Sequence, residues 1–487
     1  MRFLTTLTAA LLAATTLAFD PSVWENTQIQ RTYELGGATT NVQTVYTIKA
    51  LKDSLEGYEL VLRGPEEGEQ GTDYWEVTQG GKVWESLMVS SATDGRKTVT
   101  IPLEATPSAP VTFTHSQILV HASHALPASI GQDDEQFLMF ERNETIVESL
   151  YKTRKETIKY RSPSKKIISH SKAPEEYITV GANPSKKSGG TLTLGPYTSV
   201  PATVAVSSGA LVREKGFTQS PMSVHYPFEE PVKTVEKLVR LVEVSHWGGN
   251  MNVEDHIRLV NTGARLKPRD NSPACNTKWP DSAPFFPAQI IRNIIYPLPP
   301  NSHTPYYYDV IGNISTSNFR PSHPTRGGPA ILELRPRYPV LGGWMDEFVV
   351  GWDMGLQGWL RGKGKDKVLR VPFMTALPGV VVDEAEVVIT LPEGARDVNV
   401  TVPFPVESIE HSVHKTYLDS VGRPRITIKK RMCVEKHEQD VFVTYTYPLW
   451  AHLQKLITVG VASAIFFTMF ALAKRLNVRI SKANVVA

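Results

Sequence analysis

The chain has 487 residues, 52 Lys and Arg against 49 Asp and Glu, and a net charge of +3. That balance carries no electrostatic footprint for nucleic acid, and the length suits two or three domains. With two cysteines in all, Cys275 and Cys433, no disulfide framework can hold the fold, so stability must come from hydrophobic cores; a Cys275–Cys433 bridge and two separate thiols are both open.

Taken in order, the chain begins with Arg2, an apolar or small run from Phe3 to Leu17, and small residues at Thr16-Leu17-Ala18. This pattern predicts a secretory signal peptide over 1–18, removed before Phe19. Short alternating segments follow: Asn41-Val-Gln-Thr-Val-Tyr-Thr-Ile, Tyr58-Glu-Leu-Val-Leu, Lys97-Thr-Val-Thr-Ile and Pro110-Val-Thr-Phe-Thr-His. Each is bounded by Gly, Pro or Asp, so the period of two predicts an antiparallel sheet or sandwich. Residues 145–160 are ambiguous, because Ile146, Val147, Leu150 and Tyr151 have helical spacing within a strand-like composition. The basic stretch from Lys152 to Lys187 lacks a Gly-rich or aromatic cradle and reads as a solvated face. A Gly-, Ser- and Pro-rich segment over 181–201 precedes a domain boundary expected near Pro221, giving a first β-rich domain over 19–220.

The second β-rich domain is expected over 221–447, opening with Tyr226-Pro-Phe-Glu-Glu-Pro. A Pro-rich insertion over 267–305 contains Cys275. Near its end, Glu386-Val-Val-Ile-Thr-Leu leads through Pro392-Glu-Gly to Val398-Asn-Val-Thr-Val, with Val398, Val400 and Val402 on one face. Asn399 and Thr401 then share the wet face. Asn399 is one of three glycosylation candidates, with Asn143 and Asn313; Asn183-Pro184-Ser185 is excluded by its proline.

Residues 456–473 carry no charge and, at 1.5 Å per residue, make about 27 Å of helix, the thickness of a hydrocarbon core. Tyr445, Tyr447 and Trp450 precede this span at the expected headgroup level. Lys474, Arg475, Arg479 and Lys482 follow, placing a tail of residues 474–487 in the cytoplasm and the bulk of the chain across the membrane. Gly460 and Ala464 give the span a small-residue face for a neighbouring helix.

Enzymatic motifs do not assemble. His437-Glu438 lacks the second histidine of a zincin helix. His411 and His414, three apart on a strand, point opposite ways. Asp133, Asp134 and Glu135 lack the ligand alternation of a calcium loop. Ser162-Pro-Ser-Lys165 and Gly362-Lys-Gly-Lys-Asp-Lys match catalytic or phosphate motifs only formally. No catalytic, metal or cofactor-binding residue is assigned. Gly-flanked Trp247 and Trp344 are candidates for a recognition surface, with core anchoring as the weightier alternative.

Several blocks resemble the ribophorin I family, the large single-span subunit of eukaryotic oligosaccharyltransferase. They are Arg240-Leu-Val-Glu-Val-Ser-His-Trp-Gly-Gly-Asn, Asn261-Thr-Gly-Ala-Arg-Leu-Lys, Tyr307-Tyr-Asp-Val-Ile-Gly-Asn-Ile-Ser-Thr-Ser, Arg335-Pro-Arg-Tyr-Pro-Val-Leu-Gly-Gly-Trp344, Leu391-Pro-Glu-Gly-Ala and Tyr417-Leu-Asp-Ser-Val-Gly-Arg-Pro. The resemblance implies a mainly β chain of two successive sandwich-like lumenal domains and one C-terminal span in the endoplasmic reticulum membrane. It favours strand after Thr145. It also implies a non-catalytic subunit serving transfer of a preassembled glycan from dolichol diphosphate to Asn-x-Ser/Thr. Expected partners are the multi-span catalytic subunit, other subunits, nascent polypeptides and the bilayer. The short tail resembles the fungal type. The alternatives are a type I membrane hydrolase and a cell-surface adhesion protein.

Overall fold

The structure, a computed structural model, describes residues 21–475 except 53–56, 64–71, 85–87, 92–95, 104–108, 132–133, 180, 182, 208–209, 268–288, 324–326 and 417–418. The expected signal peptide, Cys275, Asp133 and the basic residues after Arg475 lie outside the described residues. The chain is mainly β, with one long helix, Leu449–Arg475, at its C-terminal end.

In the N-terminal half an eight-stranded sheet runs in the order Ser185–Ser188, Thr191–Val200, Thr153–Arg161, Trp24–Glu34, Thr39–Ala50, Val111–Val120, Thr72–Gln79, Lys82–Val83. Trp24–Glu34 pairs antiparallel with Thr39–Ala50 and parallel with Thr153–Arg161. Alternation decides which face is covered: in Thr39–Ala50 the even positions Val42, Tyr46 and Ile48 are buried while Asn41, Gln43 and Lys49 face out. Two smaller sheets complete the cores. Tyr58–Leu62 and Lys97–Ile101 share one core with Ile29, Tyr46 and Phe113, and Met88–Ser91 extends their sheet by pairing with Lys97–Ile101. Ser123–Ala125, Phe137–Arg142, Met222–Pro227 and Ser169–His170 share the other with Tyr33, Val42 and Leu119.

The C-terminal half repeats this plan. A seven-stranded sheet has the order Ser408–His414, Arg423–Cys433, Val381–Thr390, Lys233–Ser245, Asn250–Asn261, Met345–Gly355, His303–Asp309. Lys233–Ser245 is again the first strand of a hairpin and again parallel to a later strand, Val381–Thr390. A three-stranded sheet (Ile294–Leu298, Ala330–Leu334, Asn318–Arg320) and a four-stranded one (Leu360–Lys363, Asp366–Pro372, Asp440–Thr446, Arg396–Thr401) cover it. Matched strand for strand, the large, three-stranded and four-stranded sheets keep the same order in both halves; among the described residues, only Lys82–Val83 and the short pairs outside these sheets lack a counterpart. The chain therefore contains a structural duplication. The first copy ends with Met222–Pro227 and the second begins with Lys233–Ser245, so the chain changes sheets over 228–232, several residues past Pro221.

Each copy carries a buried arginine at the same place. Arg31 and Arg240 point inward from the first strand of each hairpin, between two stretches of apolar core. In register they face Thr44 and Asp255. Arg240 Nε and Nη2 donate to both Asp255 oxygens at 2.7 and 2.6 Å, and Nη1 donates to the Pro372 carbonyl at 3.0 Å. Tyr296 from the three-stranded sheet also donates to Asp255. In the first copy the acid comes from a loop: Glu144 accepts from Arg31 at 2.6 Å, Arg63 at 3.3 Å and Arg142 at 3.4 Å. Buried charges persist only when paired and hydrogen-bonded, so each cluster sits where the large sheet meets its two covers.

Residues 145–152 are neither helix nor strand; the strand begins at Thr153. Their backbone is satisfied by side chains instead. Gln219 accepts from the Thr145 and Ile146 amides and donates to the Ile146 carbonyl, Glu156 accepts from Val147, and Thr203 from Ser149. Those partners lie up to 74 residues away, so no local pattern specifies the segment. In the basic stretch, Arg161 and Lys172 form exposed ion pairs with Glu34 and Glu175, and exposed Arg154 pairs with the buried Glu25.

The halves are joined by contacts of mixed kind. Ser129–Ile130 pairs parallel with Arg265–Leu266, the Ala264 amide donates to Gln136 Oε1 at 2.9 Å, His121 meets Asp383 at 2.7 Å, and Val381 and Val434 enter the core of the first half. Cys433 is fully buried.

Candidate functional site

The blocks that carry the family resemblance, distant in sequence, meet in space. Asp309 and Arg337 form a bidentate pair at 2.7 and 2.9 Å. Asn261 receives a hydrogen bond from Gly343 and donates to the Val340 carbonyl. At Gly342 a Cβ would lie 1.9 Å from the Ala264 carbonyl oxygen, so no other residue fits that crossing. Glu393 Oε1 accepts from the amides of Ser420 and Val421 at 2.7 and 2.8 Å.

Three of these blocks converge at the foot of the second large sheet, against the first turns of the long helix. Two residues separate the strand ending at Thr446 from the helix starting at Leu449. Trp247, in the hairpin turn between Lys233–Ser245 and Asn250–Asn261, donates its indole N–H to the His452 carbonyl at 2.9 Å. His246 is within hydrogen-bond distance of the Tyr445 hydroxyl at 2.8 Å, and its ring centroid lies 4.4 Å from that of Tyr447. Burial, helped by the charges of His452 and Lys367, lowers the His246 pKa to about 4, so its ring is neutral near pH 7. Gln454 donates to Ser420 at 2.6 Å and to Glu393 at 3.2 Å, and Lys455 pairs with Asp419 at 3.4 Å. Residues 451, 454 and 455 recur at helical spacing, so one face of the helix start is committed to the sheet. Between the parts lies a cavity of about 300 Å³ lined by Trp247, Tyr447, Glu243, Glu393, Arg423 and Lys455, among others.

Beyond this contact the helix is exposed among the described residues. From Leu456 to Leu472 its large apolar side chains are 47–67% exposed, and no described atom lies near Gly460. Its 27 residues span about 40 Å, enclosing the expected span of 456–473. Tyr445 and Tyr447 are core residues rather than a headgroup belt, because they sit on inward positions at the end of the last strand. Trp450 is half-exposed, with the Arg396 guanidinium 5.4 Å from its ring.

The candidates from sequence are placed as follows. Trp247 is 60% and Trp344 40% exposed, but they do not share a surface. Trp247 adjoins Asn250 and Trp344 bonds to Asn261, the two ends of one strand, roughly 36 Å apart at 3.3 Å per residue. Trp344 packs edge-on against exposed Tyr338. Trp352 is buried, and Trp359 lies under Arg370. Asn143, Asn313 and Asn399 are all exposed. Arg396–Thr401, carrying Asn399, is an edge strand whose Val398 and Val400 turn to the core. Thr145, by contrast, is buried and donates its hydroxyl to the Ser220 carbonyl at 2.7 Å. His437 is buried and accepts from the Val434 amide. His411 and His414 lie on the strand Ser408–His414. Among the described residues no group of three metal-ligating side chains occurs. Sequence reasoning missed Glu393, Asp419 and Lys455; the polar residues His452, Gln454 and Lys455 at helical spacing just before an apolar run were the available signal.

Fold and junction together define a duplicated β-rich body fixed to the start of a helix long and apolar enough to cross a membrane. The ribophorin I family model matches residues 24–474, and the chain belongs to that family. It is 28% identical, over 95% of its length and 73% of the relative's, to a Caenorhabditis elegans protein named dolichyl-diphosphooligosaccharide–protein glycosyltransferase subunit 1. Relatives named subunit 1B in Arabidopsis thaliana and Oryza sativa are also 28% identical, over 73% and 81% of this chain and 69% and 76% of theirs. Among solved structures, leukotriene A4 hydrolase from Saccharomyces cerevisiae aligns at a TM-score of 0.25 and 10% identity, over 47% of this chain and 34% of that one, a likeness too slight to carry an argument.

Proposed function

We propose that the chain is a non-catalytic subunit of the oligosaccharyltransferase of the endoplasmic reticulum membrane, supporting transfer of a preassembled glycan from dolichol diphosphate to asparagine in Asn-x-Ser/Thr. The observation that carries this reading is the family match over nearly the whole chain, with relatives named as subunit 1 in an animal and in plants. The β-rich body lies in the lumen as two domains meeting over 228–232, and the basic end of the helix faces the cytoplasm. A body held on the helix by Trp247, Gln454 and Lys455 keeps a fixed height above the bilayer, which suits flanking a multi-span catalytic subunit and presenting nascent polypeptides to it. Gly460 and Ala464 supply the helix-packing face. Trp344 with Tyr338 is the exposed aromatic pair best suited to recognition, and Asn313 and Asn399 are the sequons open to glycan after folding.

Depleting the protein should leave sequons under-occupied across many glycoproteins and reduce recovery of the intact complex from mild detergent. Full sequon occupancy and unchanged co-purification after depletion would overturn the proposal.

A further inference from the structure

Around the junction cavity several buried side-chain atoms have no hydrogen-bond partner, Asp419 Oδ1, Arg423 Nε, Gln454 Oε1 and Glu393 Oε2, and of these Glu393 Oε2 has no ion-pair contact either. Glu393 is 5% exposed. Its Oε1 accepts from Ser420, Val421 and Gln454, while its Oε2 is buried without a hydrogen-bond partner. A buried carboxylate oxygen left unpaired is costly, and this one belongs to a residue lining a cavity. The two cations around it are ion-paired with other carboxylates, although Arg423 Nε makes no hydrogen bond. Arg423 lies 3.3 Å from Asp419 and 3.9 Å from Glu243, and Lys455 lies 3.4 Å from Asp419. Glu393 Oε2 is therefore a buried acceptor beside the cavity that an entering cationic hydrogen-bond donor would satisfy once the side chain turned toward it. Lys455 has N–H groups to spare beyond its single carboxylate contact and is partly exposed. Aromatic faces of Trp247 and Tyr447 complete the lining.

Position narrows the ligand. Ala451 and Lys455 belong both to the cavity and to the helix, and uninterrupted exposed apolar surface begins at Leu456, one residue further on. The cavity thus opens at the depth of lipid headgroups. At about 300 Å³ it lies at the low end of small-molecule sites, roughly 300–1,000 Å³, suiting a headgroup rather than an oligosaccharide.

We propose that this cavity binds the headgroup of an ethanolamine phospholipid. The primary ammonium donates to Glu393 Oε2, the phosphate lies by Lys455, and the acyl chains run along the helix from Leu456. An ammonium with N–H bonds satisfies Glu393, whereas a quaternary choline cannot donate to it. The inference is independent of any role in glycosylation, since lipid occupancy is read on the protein alone.

The test uses the full chain purified in detergent and exchanged into nanodiscs of phosphatidylcholine doped with phosphatidylethanolamine or phosphatidylglycerol, with retained lipid counted by native mass spectrometry after release. One ethanolamine lipid per chain should be retained over choline and glycerol lipids by at least tenfold. Glu393→Gln keeps the Oε1 contacts but turns the unpaired acceptor into a donor, and should abolish that preference. Lys455→Met should weaken retention without restoring choline binding, and an unchanged melting profile shows that the variants fold. Free phosphoethanolamine at millimolar concentration should not displace the lipid. Equal retention of all three lipids, unchanged preference in Glu393→Gln, displacement by free phosphoethanolamine, or a co-purifying polypeptide lost in Glu393→Gln while lipid stays constant would each overturn the proposal.

Discussion

Replacing Glu144 with Gln tests the buried cluster of the first copy. Burial alone would push this carboxyl up, but the guanidiniums of Arg31, Arg142 and Arg63 outweigh it and bring the pKa down to about 2 from an ordinary 4.5. A depressed acid contributes stability that is present above the unfolded pKa and is lost as pH falls toward the folded value. That depression corresponds to about 3 kcal/mol at neutral pH. Removing one partner of a buried pair costs a comparable amount, about 3–5 kcal/mol, and Gln would turn an amide N–H toward guanidiniums that cannot accept it. We expect Glu144→Gln to lower the unfolding free energy of the first copy by that amount, read as the shift in urea midpoint multiplied by the m-value and followed by circular dichroism of the full chain in detergent. The wild type should lose the difference as pH falls from 4.5 toward 2. Arg161→Gln, which removes a half-exposed pair with Glu34, is the control and should cost about 0–1 kcal/mol. A Glu144→Gln penalty no larger than that control would refute the assignment of stability to the cluster.

Glu156 behaves in the opposite sense. Burial raises its carboxyl to about 8, so the folded state holds a proton that the unfolded chain releases near pH 4.5, and stability declines as pH rises from 4.5 to 8. Glu156→Gln keeps the Val147 contact and should flatten this decline, adding about 3 kcal/mol at pH 7; a pH profile parallel to wild type would contradict it. Gly394 has φ +91°, and a Cβ there would approach Ala451 Cβ to 2.6 Å. Gly394→Ala should therefore displace the helix start at a cost of about 1–3 kcal/mol, seen as faster proteolysis between Tyr447 and Leu456 with the β-rich body intact. Gly460→Leu with Ala464→Ile should leave membrane insertion unchanged but loosen detergent-stable association with partner subunits; undiminished co-purification would argue against a packing face.

Strands with clean alternation were legible: Tyr58–Leu62 and Lys97–Ile101 are found at the expected limits, and the apolar helix was read from its composition. What escaped the sequence depends on distant partners. Residues 145–152 take their form from Gln219, Glu156 and Thr203, which no local window contains. The duplication escaped for a related reason. Strand order is fixed by pairing, and the two copies satisfy the same position with different chemistry, Thr44 against Arg31 but Asp255 against Arg240. Met222–Pro227 likewise joins a strand some eighty residues earlier, Phe137–Arg142, in a register that no local window contains. At the junction, Glu393 looked like an ordinary turn residue, and its importance lies in an oxygen that only three dimensions reveal as unpaired.

The hydroxyl of Thr145 imposes a deadline. A sequon requires Ser or Thr two residues after its Asn and an accessible segment, yet in the folded chain the Thr145 hydroxyl is buried and committed to a carbonyl 75 residues downstream. In a chain entering the lumen from its N-terminus, Asn143 is open to modification only until Ser220 arrives. At roughly 5–20 residues per second that interval is about 4–15 s. On the proposed lumenal orientation, a glycan at Asn143 would have to be added before this segment folds, whereas Ser315 and Thr401 of the other two candidate sequons stay exposed in the fold. Slowing translation should raise occupancy at Asn143 selectively, so this protein carries a built-in clock for the reaction it is proposed to serve.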